Sequence, residues 1–296
     1  MPSIYPDEGF WFKGNLHSHS TASDGWLAPE RVVQCYREMG YDFICMTDHW
    51  LVTPLPVEKK PDFLYLHGVE LNGGWTGVGD YHFIGIDLPG NAAFTQPADR
   101  NTLKPGDLIR MLCDYDALVA LAHPSWNGVS WPDLFHKPGS LWALEAWNTG
   151  CDVELGRGVS DVQWDDLLSR GCRLHGIAVD DGHRYYIDAG KGWVMVKAAE
   201  LSRKAVRTAL EQGHFYSSTG PLFKDIQIES GKLVVQTTPV RRIAMISAPR
   251  RGDMAIAAEG DHLTGHAFDL SRAEKYARIR ITDAIGRQAW SNPIYL

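Results

Sequence analysis

The chain has 296 residues, 44 % of them hydrophobic and 22 % charged, with a net charge of −7 and an isoelectric point near 5.9. That length and composition fit one large α/β unit or about two globular domains, and exclude disorder or a fibrous repeat. The acidic balance argues against a duplex nucleic-acid binder working through a basic face, and no apolar run reaches the ~20 residues that span a bilayer. The opening MPSIYPDEGF has no basic stretch leading into an apolar one, so no secretory leader is expected. Five cysteines, Cys35, Cys45, Cys113, Cys151 and Cys172, include no C-x-x-C pair. Cys35 on a helix pattern and Cys45 in a strand pattern read as buried free thiols, so the expected setting is the reducing cytoplasm.

Up to about residue 213, short apolar runs alternate with helical patterns. Segments 10–16, 41–47, 63–69, 81–87, 117–122, 141–146 and 173–179 read as buried strands. Pro29 stands at a first helical position, Val32, Val33, Tyr36 and Met39 recur at helical spacing, and Gly40 stops the run. Ser160 is placed to cap a helix carrying Val162, Leu167 and Leu168 and ended by Gly171. A last helix spans roughly 200–212 before Gly213. Seven strands joined by helices predict a parallel sheet or barrel. After Ser217-Ser218-Thr219-Gly220-Pro221 the pattern turns to alternation in 224–230, 233–238, 241–248, 266–270 and 276–283, with Ser230-Gly231 as a hairpin turn. The reading is an α/β unit over residues 1–220 and a small all-β, sandwich-like domain over 221–296.

Chemistry concentrates where the strands end. An H-x-H such as His17-Ser18-His19 is weak alone in a chain with 12 histidines. Placement strengthens it: His17 and His19 follow the first strand, His49 the second, Glu70 ends the third, His123 follows the fifth, and Asp181 and His183 follow the seventh. His82, early in the fourth, breaks the pattern. Loops at the C-terminal ends of parallel barrel strands converge on one mouth, where catalytic groups collect. Imidazole and carboxylate without thiolate suit Zn²⁺, Mn²⁺ or Fe²⁺, and so many ligands imply a centre of two to three ions. Ions about 3.5–4 Å apart lower the pKa of a bridging water and clamp both oxygens of an in-line phosphoryl displacement.

The ordered series GNLHSHSTASDG, MTDH, GVEL, a strand carrying His82, LAHP and VDDGH resembles the PHP (polymerase and histidinol phosphatase) superfamily of metal-dependent phosphoesterases. The match covers residues 11–220, and YSSTGP resembles the segment that closes the catalytic part of two-domain bacterial members. The resemblance implies a distorted (β/α)7 barrel with a trinuclear centre. It places His17, His19, Glu70 and Asp181 on a first metal, Glu70, His82 and His123 on a second, and Asp24, His49 and His183 on a third. Trp50 departs from the polar residue that relatives often carry after the Asp-His pair.

His67 competes with His82, and the reading favours His82; His67 and His175 are expected to be core histidines satisfied by backbone carbonyls. Asp24 doubles as a turn residue before Gly25. Asp48 is expected to orient an imidazole through its second nitrogen. Glu145, at the end of the sixth strand, reads equally as site or scaffold. In extended backbone, i and i+2 side chains share a side, so Asp181 and His183 should face the site and Asp180 away from it. Trp26, Trp50, Trp75, Trp126 and Trp147 each follow a site residue closely, either walling the pocket or packing the β domain onto the barrel. Arg184 and Arg157 are the candidate phosphate-binding cations.

These residues predict a cytoplasmic hydrolase in which Glu70, Asp181, Arg184 and Arg157 act on a small phosphorylated metabolite or nucleotide, with no membrane and no duplex nucleic acid as partner. Two rivals remain. An amidohydrolase-type barrel also opens with H-x-H, but no lysine ends a strand here. A non-catalytic metal-binding or sensory module would have no need of nine such ligands.

Overall fold

In the computed structural model the described residues are 3–55, 62–75, 79–128 and 141–296. Short apolar runs form β1 (Phe10–Asn15), β2 (Phe43–Met46), β3 (Leu64–Gly73), β4 (Tyr81–Ile86), β5 (Leu118–Leu121), β6 (Ala143–Asn148), β7 (His175–Val179), β8 (Trp193–Ala198) and β9 (Phe215–Ser218). Between them lie α1 (Pro29–Glu38), α2 (Pro105–Cys113), α3 (Pro124–Asn127), α4 (Thr149–Leu155), α5 (Asp161–Ser169), α6 (Tyr185–Asp188) and α7 (Arg203–Glu211). The C-terminal part is all strand apart from one 3-10 turn: β10 (Phe223–Glu229), β11 (Lys232–Val240), β12 (Arg242–Ser247), β13 (Gly252–Ile256), β14 (Leu263–Asp269), β15 (Tyr276–Thr282), β16 (Gln288–Ser291) and β17 (Ile294–Tyr295).

Local signals explain the helix ends. α1 begins with Pro29 at N1, buries Val32 and Tyr36, and stops at Gly40, whose φ of 73° suits a residue without Cβ. Ser160 does sit at the N-cap of α5, but its side chain caps nothing there. Its hydroxyl accepts instead from the Ser125 backbone N–H (3.2 Å), tying α5 to the start of α3. In α7, Ser202 accepts from Ala205 N–H (3.2 Å), so the helix starts at 203, later than the sequence suggests.

The large sheet runs β13-β12-β15-β16-β9-β8-β1-β2-β3-β4-β5-β6-β7, with β17 paired to β15, and β10-β11-β14 form a second sheet. The fold is mixed α/β. Strands β1, β2, β3, β5, β6 and β7 run the same way, but β4 is antiparallel to both its neighbours and β8 is antiparallel to β1. The sheet is therefore mixed rather than parallel. The reversal at β4 matters for the site, because it puts the beginning of β4 beside the ends of β3 and β5. An isolated parallel bridge between Ser18 and Gly182 joins the segments that follow β1 and β7, so both ends of the β1–β7 run meet there.

β2, β4 and β5 are buried along their whole length, as strands covered on both faces are. One apolar layer holds Phe43, Ile84, Ala120, Ile177, Val196 and Phe215. The other packs Leu71, Phe83, Leu121 and Leu144 with Leu108 and Leu112 of α2 and Trp164, Leu167 and Leu168 of α5. Gly176 is obligatory in β7, since a Cβ there would lie 2.3 Å from the Trp164 ring. Trp290 and Tyr276 belong to the same core, so apolar packing and sheet continue across Gly220-Pro221 through the β9–β16 pairing. Among the described residues no helix is long and apolar enough to cross a membrane.

An enclosed arginine anchors the partly buried ion pairs across that junction. Arg278 of β15 is fully enclosed, donates to Asp165 of α5 at 2.8 and 2.6 Å, lies 3.2 Å from Asp161 and stacks over Trp164. Arg280 also pairs with Asp161. Removing one partner of such a group leaves uncompensated charge in the interior. Arg278→Ala is expected to lose about 3 kcal/mol of stability in urea unfolding; a loss within 0.5 kcal/mol, about what an ordinary surface substitution costs, would contradict this role.

Candidate metal centre

Each site side chain is delivered by a strand end. Past β1 the chain stays extended, so His17 and His19 project together while Ser18 turns back and donates to Cys45 O (2.9 Å). His49 follows β2 and bridges to Glu70. Glu70 lies within β3, which continues to Gly73. His82 stands opposite Asn72 at the start of β4, which explains how a residue early in its strand reaches the same mouth. His123 is the N-cap of α3, and Asp181 and His183 follow β7.

The carboxylate of Glu70 is the hub. Its Oε1 lies 2.7 Å from His82 Nδ1 and 3.2 Å from His123 Nε2; its Oε2 lies 3.2 Å from His17 Nε2, 3.2 Å from His19 Nε2 and 3.3 Å from His49 Nδ1. Asp181 Oδ1 is 3.2 and 3.1 Å from the same His17 and His19 nitrogens. Asp24 approaches His19, His49 and His183 at 3.5 Å each. Three groups result, each with its ligand atoms within 4.8 Å: His17, His19, Glu70, Asp181; Glu70, His82, His123; and His19, Asp24, His49, His183. The first two are buried, and the third opens to solvent through Asp24, His49 and His183.

Hydrogen bonds behind the cluster decide which nitrogen carries a proton. His17 Nδ1 donates to Glu145 Oε1 (2.6 Å), His123 Nδ1 to Asn127 Oδ1 (2.7 Å) and His183 Nδ1 to the Asp181 carbonyl (2.9 Å). In all three the Nε2 lone pair is left facing the other ligands, the arrangement that metal-binding imidazoles share. His17 Nε2 and His19 Nε2 converge to 3.0 Å. Lone pairs and carboxylates so close repel unless a cation lies between them. Asp181 Oδ1 and His49 Nδ1 are also buried without a hydrogen-bond partner. The donor set fits divalent ions.

Electrostatics show the same demand for positive charge. Burial would lower the imidazoles, but the facing carboxylates outweigh it, holding His17 well above its ordinary value and His82 and His183 up at about 9. Burial would raise Glu70 and Asp181, yet the imidazoles hold both well below the carboxylate range. At His49 burial wins and lowers the ring to about 4.

Several sequence expectations need correction. Asp181 faces the cluster and Asp180 does not, but the extended-chain reason fails: Asp181 has φ 52°, a left-handed turn. Asp180 instead accepts from the N–H groups of Gly190, Lys191 and Gly192 at 2.7–3.0 Å, and burial raises it to about 6. Asp48 orients no imidazole; it accepts from Ser20 N–H and from the hydroxyls of Ser20, Ser23 and Thr53, bracing the loop that carries Asp24. His175 is a core histidine as expected, packed between Trp142 and Phe215 and bonded to the Glu211 backbone, though its Nδ1 has no partner; burial lowers it to about 4. His67 is half-buried against Tyr65, away from the three groups.

Glu145 is the residue that sequence reasoning left undecided. Besides orienting His17, it accepts from the His123 N–H and Asn148 Nδ2, both at 2.8 Å. Asn148 also donates to Asp181 Oδ2 (3.1 Å). Asn127 and Asn148 were missed; the only sequence signal was their position within four residues of His123 and Glu145.

A cavity of roughly 430 Å³ opens over the cluster, lined also by Trp26, Trp126, Cys151, Glu154, Arg184 and Asp188. The indoles divide. Trp26 and Trp126 line the cavity, whereas Trp50, at φ 56°, turns into the core and donates to Asn72. Trp147 follows a bulge in β6 and packs on Trp290, and Trp75 is exposed away from the cavity. Arg184 lines the cavity; Arg157 is exposed beyond α4 and does not. Cys151 lies in the cavity wall, but burial pushes its thiol well above the ordinary range, so it stays protonated.

No family model matches the chain. A two-domain protein from Bacteroides vulgatus containing a predicted PHP-like metal-dependent phosphoesterase aligns with 99 % of this chain and 97 % of its own, at TM-score 0.53 and 16 % identity. The chain shares the fold of that protein. The 5'-3' exoribonuclease Rnm of Salmonella typhimurium is 29 % identical over 94 residues, 30 % of this chain and 32 % of that protein. Its Escherichia coli counterpart is 35 % identical over 80 residues, 25 % of this chain and 27 % of that protein. The matched stretch thus spans under a third of these curated relatives.

The two adjacent aspartates give a direct test. Asp181→Asn is expected to lose bound metal in elemental analysis. Asp180→Asn should keep it but lose about 1–3 kcal/mol of stability, because an amide NH₂ would face backbone donors. Metal loss confined to Asp180→Asn would contradict the assignment.

Proposed function

We propose that the chain is a metal-dependent phosphoesterase acting on small phosphate esters, nucleotides foremost, at a centre of two to three Zn, Mn or Fe ions. In this reading residues 1–220 form a distorted (β/α)7 barrel that carries the site and 221–296 an all-β domain. The observation that carries it is the convergence of imidazole nitrogens on the Glu70 and Asp181 carboxylates, with Asp181 Oδ1 and His49 Nδ1 left without a hydrogen-bond partner. His17, His19, Glu70 and Asp181 would hold one ion, Glu70, His82 and His123 a second, and Asp24, His49 and His183 a third. Bound there, such ions supply Lewis acidity toward phosphoryl oxygens and lower the pKa of water. The exoribonuclease relatives favour nucleotide esters within this class.

The remaining roles belong to the chain itself. Glu145, Asn127 and Asn148 hold the imidazoles and Asp181 in their ligand orientations. The Asp188 carboxylate accepts from the backbone N–H groups of His183 (3.2 Å) and Arg184 (2.9 Å), fixing the turn that brings the Arg184 side chain to the cavity. Its guanidinium is suited to take two phosphoryl oxygens at once.

Phosphate release from monoesters and alcohol release from diesters, run beside a carboxylic ester, test the reading. Phosphate release should stop on chelation, return with Mn²⁺, and leave the circular dichroism spectrum unchanged. Turnover of the carboxylic ester alone, or phosphate release indifferent to chelation, would overturn it. Arg184→Ala should raise KM about tenfold or more, equal to roughly 1.4 kcal/mol or more of lost binding, whereas Arg157→Ala should stay within twofold.

A further inference from the structure

Trp26 stands open in the cavity wall, with a second exposed aromatic ring, Tyr186, beside it. Trp26 is 59 % exposed and Tyr186 75 %, with ring centroids 5.9 Å apart and planes tilted by 52°. Exposed aromatics paired beside a cavity are a binding feature rather than a packing one. Trp26 is held from behind. Its N–H donates to the His183 carbonyl (2.9 Å), and Gly25 donates to Ser20 O (2.9 Å). A Cβ on Gly25 would come within 2.6 Å of the His19 backbone, so the chain is pressed against the cluster at that point. The backbone is fixed while the ring stays free, which lowers the ordering cost of binding.

Trp126, the other indole of the cavity, is already engaged. Its ring packs edge-on against His82 and His123, and its Nε1 donates to Glu154 (3.1 Å). Trp26 is the free face. Its surroundings, Asp24, Arg184 and Asp188, are charged, which disfavours an aliphatic or lipid group and suits a planar ring with polar edges. The cavity volume of roughly 430 Å³ falls in the range of small-molecule sites.

We infer that Trp26, backed by Tyr186, is a stacking platform for the base of a nucleotide whose phosphate lies over the Glu70 cluster beside Arg184, making Trp26 a specificity-determining residue. The inference rests on the phosphoesterase reading, and it names the residue that selects nucleotides within it. Base–aromatic stacking tolerates every base, so selection is for a nucleotide over a bare sugar phosphate and not for one sequence.

The test compares adenosine 5′-monophosphate with ribose 5-phosphate, which differ only by the base. Calorimetry on the Mn²⁺-loaded protein would use their phosphonate analogues, in which CH₂ replaces the ester oxygen. The nucleotide analogue should bind at least tenfold more tightly, Trp26→Ala should erase most of that ratio, and Trp26→Phe should retain it. Equal affinities in the parent, or a ratio unchanged in Trp26→Ala, would overturn the inference. If the ratio behaves as expected and neither parent ester is hydrolysed, the platform stands and the phosphoesterase reading falls.

Discussion

A single buried carboxylate organises this molecule. Glu70 is 1 % exposed, and five imidazole nitrogens lie within 3.3 Å of its two oxygens. Burying a charge costs several kcal/mol unless it is compensated. Around it stand His17, His19, His49, His82 and His123, delivered by four different strands. The Glu145 and Asn127 hydrogen bonds then commit two of those rings to face Glu70 with lone pairs. The three groups so formed have the donor types and spacing that could hold divalent ions.

The sheet exists in the form that this convergence needs. Six strands share a direction and aim their ends at the cluster, and the reversed β4 contributes its beginning. The bridge between Ser18 and Gly182, with His19 N–H donating to Gly182 O and Asp181 N–H to His17 O, brings the two ends of that run into register. Arg278 and Arg280 of β15 reach α5 from the C-terminal strands, and Ser160 at the head of α5 touches Ser125 beside His123. The β-rich C-terminal part therefore braces a helix that adjoins the site.

What the sequence revealed follows from the range of each signal. Strand runs and helix stops are local, so β1 to β7 and the Gly40 stop could be read directly, as could the imidazoles and carboxylates that the fold gathers. Strand direction is not local. Nothing in YHFIGID marks β4 as antiparallel, so His82 stood out as an exception until its register beside Asn72 was known. β9 was missed because FYSS is short and half-polar, and β8 because WVMVKA follows Gly190-Lys191-Gly192 with no helix between it and the preceding strand long enough to set it off, its burial alternating. Side-chain direction at turns was equally hidden: left-handed φ at Trp50 sends an indole that had two open readings into the core, and at Asp181 it removed the stated reason for its direction. Glu145, Asn127 and Asn148 act only through partners distant in sequence or by cap geometry, which composition does not encode.

The claim that the Glu70 cluster is a metal centre is tested most directly by anomalous diffraction from crystals grown with Mn²⁺. The account predicts two to three anomalous peaks, two of them within about 2.0–2.3 Å of Glu70 oxygens, a typical distance for divalent ions to carboxylate. Well-ordered density for Glu70, His17 and Asp181 with no peak among them would contradict it.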